Sequence, residues 1–434
     1  MITFDQILPI IVDILKPYQG HDLDAIGNFL INRDLNGRIR LIVPELVEKN
    51  DSILQTIQLI SQDICTRLAN HAYSEQAILF VPNIESVIGN ALNFPILGFE
   101  QIRFVDRLAT ESNWASIEPE TQNAPRVVFF SIKGGVGRST ALAASAWALA
   151  QAGKKVLALD LDLESPGLSS ALLPKERYPK YGIVDWLVED LIDNGEAVIN
   201  DLVATSQLSY DGEIFVVPAH GIDAGEYISK LGRVWMPKVD SSGNRQNWSQ
   251  RLNRLINELE QHYQPDIIFL DSRSGIDEVA SSCVTDIGAN SILLFAIDGE
   301  QTWSGYRILF EHWHRSNVVQ QIRERLQVVG ALIPEDDRHI EYFDNLREHS
   351  ADLFLELLYD EIPAGQVGED LWSFDIHDPT SPHYPLAIHW NQGFSAIQSI
   401  HSRLNEIDST RVMSIFGELV TSLENTLKSG QDHD

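Results

Sequence analysis

The sequence predicts an α/β protein: a mostly parallel, doubly wound sheet with a small α+β unit ahead of it. Three observations carry that expectation. From Arg126 onward, short apolar runs alternate with amphipathic stretches, the pattern of parallel strands joined by helical crossovers. The first of those runs opens into a glycine-rich turn followed by a helix of small residues. Before Arg126 the texture differs, and Ser116–Pro125, polar and proline-flanked, reads as a linker. A chain of 434 residues accommodates two domains, expected at residues 1–120 and 125–430.

In the first part, helical patterns at about 4–17 and 52–70 alternate with strand-like runs at Arg38–Val43, Ala77–Val81 and Gln101–Val105. In the second, strands are expected at Arg126–Ser131, Lys155–Asp160, Glu213–Val217, Asp266–Asp271, Ser291–Ala296 and Leu326–Ile333. Amphipathic helices fill the gaps, among them Trp248–Tyr263 and Trp303–Leu326. The tail Thr410–Leu427 is a further helix. Its apolar Val412, Ile415, Phe416, Leu419, Val420 and Leu423 follow three-and-four spacing, which marks a packed face.

Charge narrows the range of partners. The formal net charge is -30. Such a surface repels phosphate backbones and anionic lipid over a Debye length of roughly 8 Å. No basic patch opposes it, so non-specific DNA and membrane binding are not expected. Two cysteines, Cys65 and Cys283, give neither a disulfide framework nor metal-ligand spacing, which fits a reducing cytoplasm. The opening MITFDQILPIIVDIL reads as an amphipathic helix, since Asp5 and Asp13 interrupt it and no basic residue precedes it. No apolar run reaches the roughly 20 residues of a spanning helix.

The chemistry concentrates at Val127–Thr140, where the strand runs into Lys133-Gly-Gly-Val-Gly-Arg138-Ser-Thr140. Gly134, Gly135 and Gly137, with Val136 between, let successive backbone N–H groups converge on one point, because no Cβ blocks the turn. The following helix directs the positive end of its dipole to the same point. That geometry suits a di- or triphosphate. Ser139 is placed to bind Mg²⁺ through its hydroxyl, and Thr140 to reach an α-phosphate oxygen.

KGGVGRST resembles the deviant Walker A motif of the ParA/MinD family of P-loop ATPases, which usually reads KGG-x-GK-[ST]. The resemblance implies ATP and Mg²⁺ as cofactors and a homodimer formed around nucleotide. It makes Lys133 the lysine that reaches across the dimer to the other subunit's nucleotide. Arg138 matches the lysine that holds the β- and γ-phosphates. Arginine there keeps the charge but has a planar, bulkier head. Downstream, Asp160-Leu-Asp162 at the end of a strand resembles the family's D-x-D switch. Asp162 matches the residue that orients or deprotonates the attacking water, and it is counted with Ser139 and Asp271 about the metal. The apolar run ending at Asp271 resembles Walker B, and Ser272–Asp277 resembles the switch segment that senses the γ-phosphate. Asp360-Glu-Ile-Pro363 resembles the late I-P step near the purine. The strand Val328–Pro334 ends in Ile-Pro where an adenine-reading Asn is usual.

Other features read as structural. His312 and His314, two apart on a helix, do not share a face. His383 and His389 have no partner cysteine, and Trp186 and Trp303 lack the interleaved basic residues of a stacking platform. The tail helix lacks the basic face of a membrane foot. Two functions follow. One is a slow Mg-ATPase switch that uses residues 1–120 to recognise an unknown protein partner. The other is an adaptor that senses ATP or ADP with little or no hydrolysis, a reading motivated by Arg138.

Overall fold

The computed structural model describes residues 2–89, 91–108, 113–239, 243–361, 371–395, 400–406 and 409–431. It divides into two compact units, Met1–Asn113 and Trp114–Asp434.

The first unit holds five strands: β1 (Phe29–Arg33), β2 (Ile39–Pro44), β3 (Ile78–Val81), β4 (Leu92–Ile96) and β5 (Phe99–Asp106), ordered β3-β2-β1-β5-β4. The central β1 pairs antiparallel with β2 and parallel with β5. Its side chains alternate between two cores. Phe29 and Ile31 pack with Ile11, Ile57, Ile60 and Ile64 of the helices Ile7–Leu15 and Asp51–Leu68. Leu30 joins Ile42, Val105 and Ile88 in a smaller cluster that includes the short helix Ile84–Ile88. Sequence patterning missed β1 because it is apolar on both sides and shows no alternation.

The second unit is built on an eight-stranded sheet. Its strands are β6 (Arg126–Ser131), β7 (Lys155–Asp160), β8 (Ala204–Thr205), β9 (Glu213–Val217), β12 (Ile267–Ser274), β13 (Ser291–Ala296), β14 (Leu326–Ile333) and β15 (Leu386–His389). A separate two-stranded ribbon pairs β10 (Lys238–Val239) with β11 (Arg245–Gln246). The order is β15-β14-β13-β6-β12-β7-β9-β8, and every neighbouring pair is parallel except β8 with β9. This is the doubly wound α/β architecture. Alternation along β6 shows the two layers: Val128 and Phe130 face a core shared with helices Trp248–Tyr263 and Glu300–Arg315. Val127 and Phe129 face the helix Arg138–Gln151 and the tail helix Ser409–Gln431. All six apolar tail positions singled out by spacing are buried.

Two expectations are corrected. The segment expected as a linker packs on the second unit. Glu118 N donates to the Thr285 carbonyl at 2.8 Å and Thr121 N to the Gly288 carbonyl at 2.9 Å, and just ahead of the segment Trp114 lies against Phe130 with ring centroids 6.1 Å apart. Composition reads such chain as free because hydrogen bonds, not apolar side chains, hold much of it down. The single helix expected at Trp303–Leu326 is Glu300–Arg315 and a short turn Val319–Ile322. Asn317, at φ 57°, takes the left-handed conformation that ends helices.

Candidate functional site

Strand β6 lies inside the sheet between β13 and β12, so its carboxyl end opens at the point where the strand order reverses, the position at which open α/β sheets bind ligands. There the chain turns through Ile132–Gly137 into the helix Arg138–Gln151. Gly135 (φ 75°) and Gly137 (φ 82°) adopt left-handed backbone that a Cβ would strain. Gly137 starts the helix, and its carbonyl accepts from Ala141 N at 2.9 Å. The helix is alanine-rich because it is buried between the sheet and the tail helix, where small side chains permit close approach.

Register sets the acidic side of the site. Asp271 on β12 pairs with Asp160 on β7 and Phe129 on β6, which brings two carboxylates side by side at the strand ends. Asp160 is fully buried, and its Oδ2 accepts from Ser169 N (3.2 Å) and Ser169 Oγ (2.9 Å). Burial, then the Asp271 charge, raises its pKa to about 7 against the pull of those bonds. Asp162, half-buried, is also raised, by burial first, with Arg138 opposing.

The raised Asp160 gives a pH prediction. Between the ordinary carboxylate range and about 7, the folded protein holds a proton that the unfolded chain has released. This contribution to stability is present at the acid end of that window and is lost as pH rises through 7. Asp160→Asn should flatten the decline between pH 5 and 7, measured by denaturant unfolding at each pH. An unchanged slope would remove Asp160 as its source.

Arg138 is held by side chains of the site itself. Nε donates to Asp271 Oδ1 at 2.9 Å, Nη1 donates to Ser131 Oγ at 2.8 Å, and Nη2 lies 3.6 Å from Asp162 Oδ2. Asp271 and Asp162 carry the opposite charge beside it, and a buried carboxylate keeps its charge only with such a partner.

A cavity of about 700 Å³ gathers most of the remaining expected residues. Gly134, Gly135, Val136, Gly137, Arg138, Ser139, Thr140 and Asp162 all line it. Lys133 is exposed and lies outside that lining. Asp271 is buried behind Arg138. Pro363 lies outside the described residues. Sequence reading missed the opposite wall, where Leu332, Ile388, Trp390, Phe394, Ile415 and Phe416 form an apolar surface with His389 and Asn391 among them. The only local signal was the short apolar run before Trp390. Arg273 and Ser274 of β12 also line the cavity.

Among the described residues, no group of three or more His, Cys, Asp or Glu side chains is gathered to hold a metal alone. The residues nevertheless fit Mg²⁺, which binds through one or two carboxylates with phosphate and water completing its shell. Asp271 Oδ2 and Asp160 Oδ1 are buried without hydrogen-bond partners, and Ser139 borders the cavity.

Residues 127–302, which carry the glycine turn and all three aspartates, match the family described as the CobQ/CobB/MinD/ParA nucleotide binding domain. The second unit carries a nucleotide-binding domain of that family. No curated protein matches the chain. Among solved structures, the chain is similar to the pNOB8 ParA bound to nonspecific DNA, at 16% identity over 70% of this chain and 99% of that one, TM-score 0.43. It is also similar to the MinD cell division protein of Aquifex aeolicus (20% identity, 54% and 78% covered, TM-score 0.35). A third is the cobyrinic acid a,c-diamide synthase of Mycobacterium smegmatis with bound ATP analog and magnesium (18% identity, 52% and 81% covered, TM-score 0.36). Among the described residues, no helix is long and apolar enough to cross a membrane.

Proposed function

We propose that the protein is a Mg-ATP-dependent switch that pairs with a second copy around nucleotide and controls a protein partner recognised by its first unit. One observation carries the reading. A single cavity joins a glycine cradle for a polyanion to an apolar wall for a flat ring, and a nucleoside triphosphate has both ends. The amides of Gly134–Gly137 and the start of the helix hold phosphate, and Thr140 orients it. Mg²⁺, held by the Ser139 hydroxyl and the Asp271 carboxylate, would neutralise developing phosphate charge. Asp162 borders the cavity, and burial raises its pKa, the direction that favours accepting a proton from an attacking water. Lys133, exposed at the turn, is available to a neighbouring subunit's nucleotide.

A second reading, a nucleotide-sensing adaptor with little hydrolysis, is favoured by the commitment of Arg138 to Asp271 and Ser131. A turnover assay on the full chain with Mg-ATP separates the two. The switch predicts slow hydrolysis that falls at least about a hundredfold in Asp162→Ala, the lower end of the range for loss of a general base. It also predicts that Arg138→Lys raises turnover. Wild type and Asp162→Ala equally inactive, with Arg138→Lys no better, would leave the adaptor.

A further inference from the structure

We propose that the outer edge of β3, in the first unit, takes a short apolar strand of a protein partner, flanked by lysine or arginine, as a sixth strand of its sheet. The inference rests on the reading that the first unit recognises a partner, and it supplies the surface and the chemistry.

Edge strands carry unpaired peptide groups, and folded proteins guard them. The two larger sheets end in four edges, β3, β4, β8 and β15. Three are guarded. β8 is only Ala204–Thr205. On β15 the Ala387 N–H donates to Glu418 Oε2 of the tail helix at 2.6 Å. β4 carries Pro95, which has no N–H, and its pairing slips between Pro95 and Ile96. β3 has none of these devices. It reads Ile78-Leu-Phe-Val81 and is partly exposed at every residue, whereas the central β1 is buried from Phe29 to Asn32.

Ladder geometry identifies the free peptide groups. Leu41 pairs with Ile78 in the parallel ladder, and Leu41 N donates to the Ala77 carbonyl at 2.9 Å. Peptide groups alternate in direction along a strand, so Ala77, Leu79 and Val81 turn theirs toward β2. Ile78 and Phe80 turn theirs outward. β3 ends the strand order, so no strand of this sheet lies beside those groups. An extended peptide laid there gains main-chain hydrogen bonds, the mode of β-strand addition.

Side chains define the occupant. Ile78 and Phe80 pack toward one core of the unit, Leu79 and Val81 toward the other, so the edge is apolar on both faces. A strand set against it needs a continuous apolar run, not an alternating one. The rim is acidic. From Leu68 to Ile102 the chain has Glu75, Glu85 and Glu100 and no lysine or arginine. Glu75 and Glu85, on either side of β3, are exposed. Glu45 and Glu48, against Lys49, are exposed on the turn whose Val47 shares the core of Ile78 and Phe80. Basic residues at the ends of the partner strand complement this rim. A second copy does not, since antiparallel pairing of β3 with itself brings the Glu75 and Glu85 ends of two copies together.

Two peptides test the assignment on the full chain by fluorescence anisotropy: Lys-Lys-Val-Ile-Val-Ile-Val-Lys-Lys, and the same core flanked by glutamates. The lysine-flanked peptide should bind, and the glutamate-flanked one roughly tenfold or more weakly, because several rim charges change sign together. On binding, amide exchange at Ile78 and Phe80 should slow by roughly tenfold or more, while Leu79 and Val81, already in the ladder, change little. Phe80→Pro removes an outward N–H and none from the ladder, and should weaken binding roughly three- to tenfold. Glu75→Lys with Glu85→Lys should invert the preference between the peptides. These two positions are exposed, so that variant decides the matter if Phe80→Pro fails to fold, which a thermal melt reveals. No binding of the lysine-flanked peptide, unchanged exchange at Ile78 and Phe80 in its presence, or a preference indifferent to the charge reversal would overturn the assignment. So would a dimer in sedimentation that Phe80→Pro dissociates, which would give the edge to a second copy. Mg-ATP turnover measured alongside separates the failures: hydrolysis without peptide binding strikes the docking edge alone, and peptide binding without hydrolysis strikes the nucleotide switch alone.

Discussion

Replacing Arg138 with alanine should lower the stability of the second unit by about 3–5 kcal/mol, the cost of removing one partner from a buried ion pair. The effect is large because the guanidinium does three things at once. It donates to Asp271 at 2.9 Å, donates to Ser131 Oγ at 2.8 Å, and offsets Asp162 at 3.6 Å, all at the edge of the sheet's central strands. Alanine leaves Asp271 buried beside Asp160, which itself has an unpartnered oxygen. Urea denaturation followed by circular dichroism measures the change. Arg138→Lys should fall between wild type and alanine, since one ammonium cannot reproduce the fork. A loss below about 1 kcal/mol, the range of exposed pairs, would mean that Arg138 is better solvated than its burial implies.

Gly137→Val should reduce nucleotide affinity by roughly 100-fold or more while the fold persists. Gly137 holds φ 82° at the first turn of the helix and lines the cavity. A β-branched residue there takes left-handed backbone at a cost of roughly 1–2 kcal/mol, and relaxing that strain turns the neighbouring amides from their common target. Losing two charge-assisted amide contacts, each worth about 1.5–3 kcal/mol, gives the stated factor. Space is not the obstacle, since the nearest atom to a new Cβ is Leu332 Cδ2 at 3.8 Å. Calorimetric titration with Mg-ATP reads the affinity, and a melting temperature checks the fold. Retained affinity in a folded Gly137→Val protein would show that the turn does not act as the phosphate cradle.

The glycine turn was legible in the sequence because every feature of it is local. Strand, glycines, hydroxyls and helix follow one another within Val127–Thr140, and the structure places them in that order around one cavity. The strands Arg126–Ser131, Lys155–Asp160, Ser291–Ala296 and Leu326–Ile333 were likewise readable, since each is a dense apolar run bounded by polar chain. β15 was not, because its four residues gain strand character only by pairing with β14.

Chain order by itself determined that one segment would make a glycine turn from strand to helix and that carboxylates would stand at the ends of two later strands. It did not determine whom those charges would meet. The attachment of Arg138 to Asp271, 133 positions away, follows from strands β6 and β12 lying side by side. The apolar wall follows from a tail helix folding back beside the turn. Local geometry is written in neighbouring residues, whereas charge pairing and cavity walls depend on which distant surfaces are brought together and shut away from water.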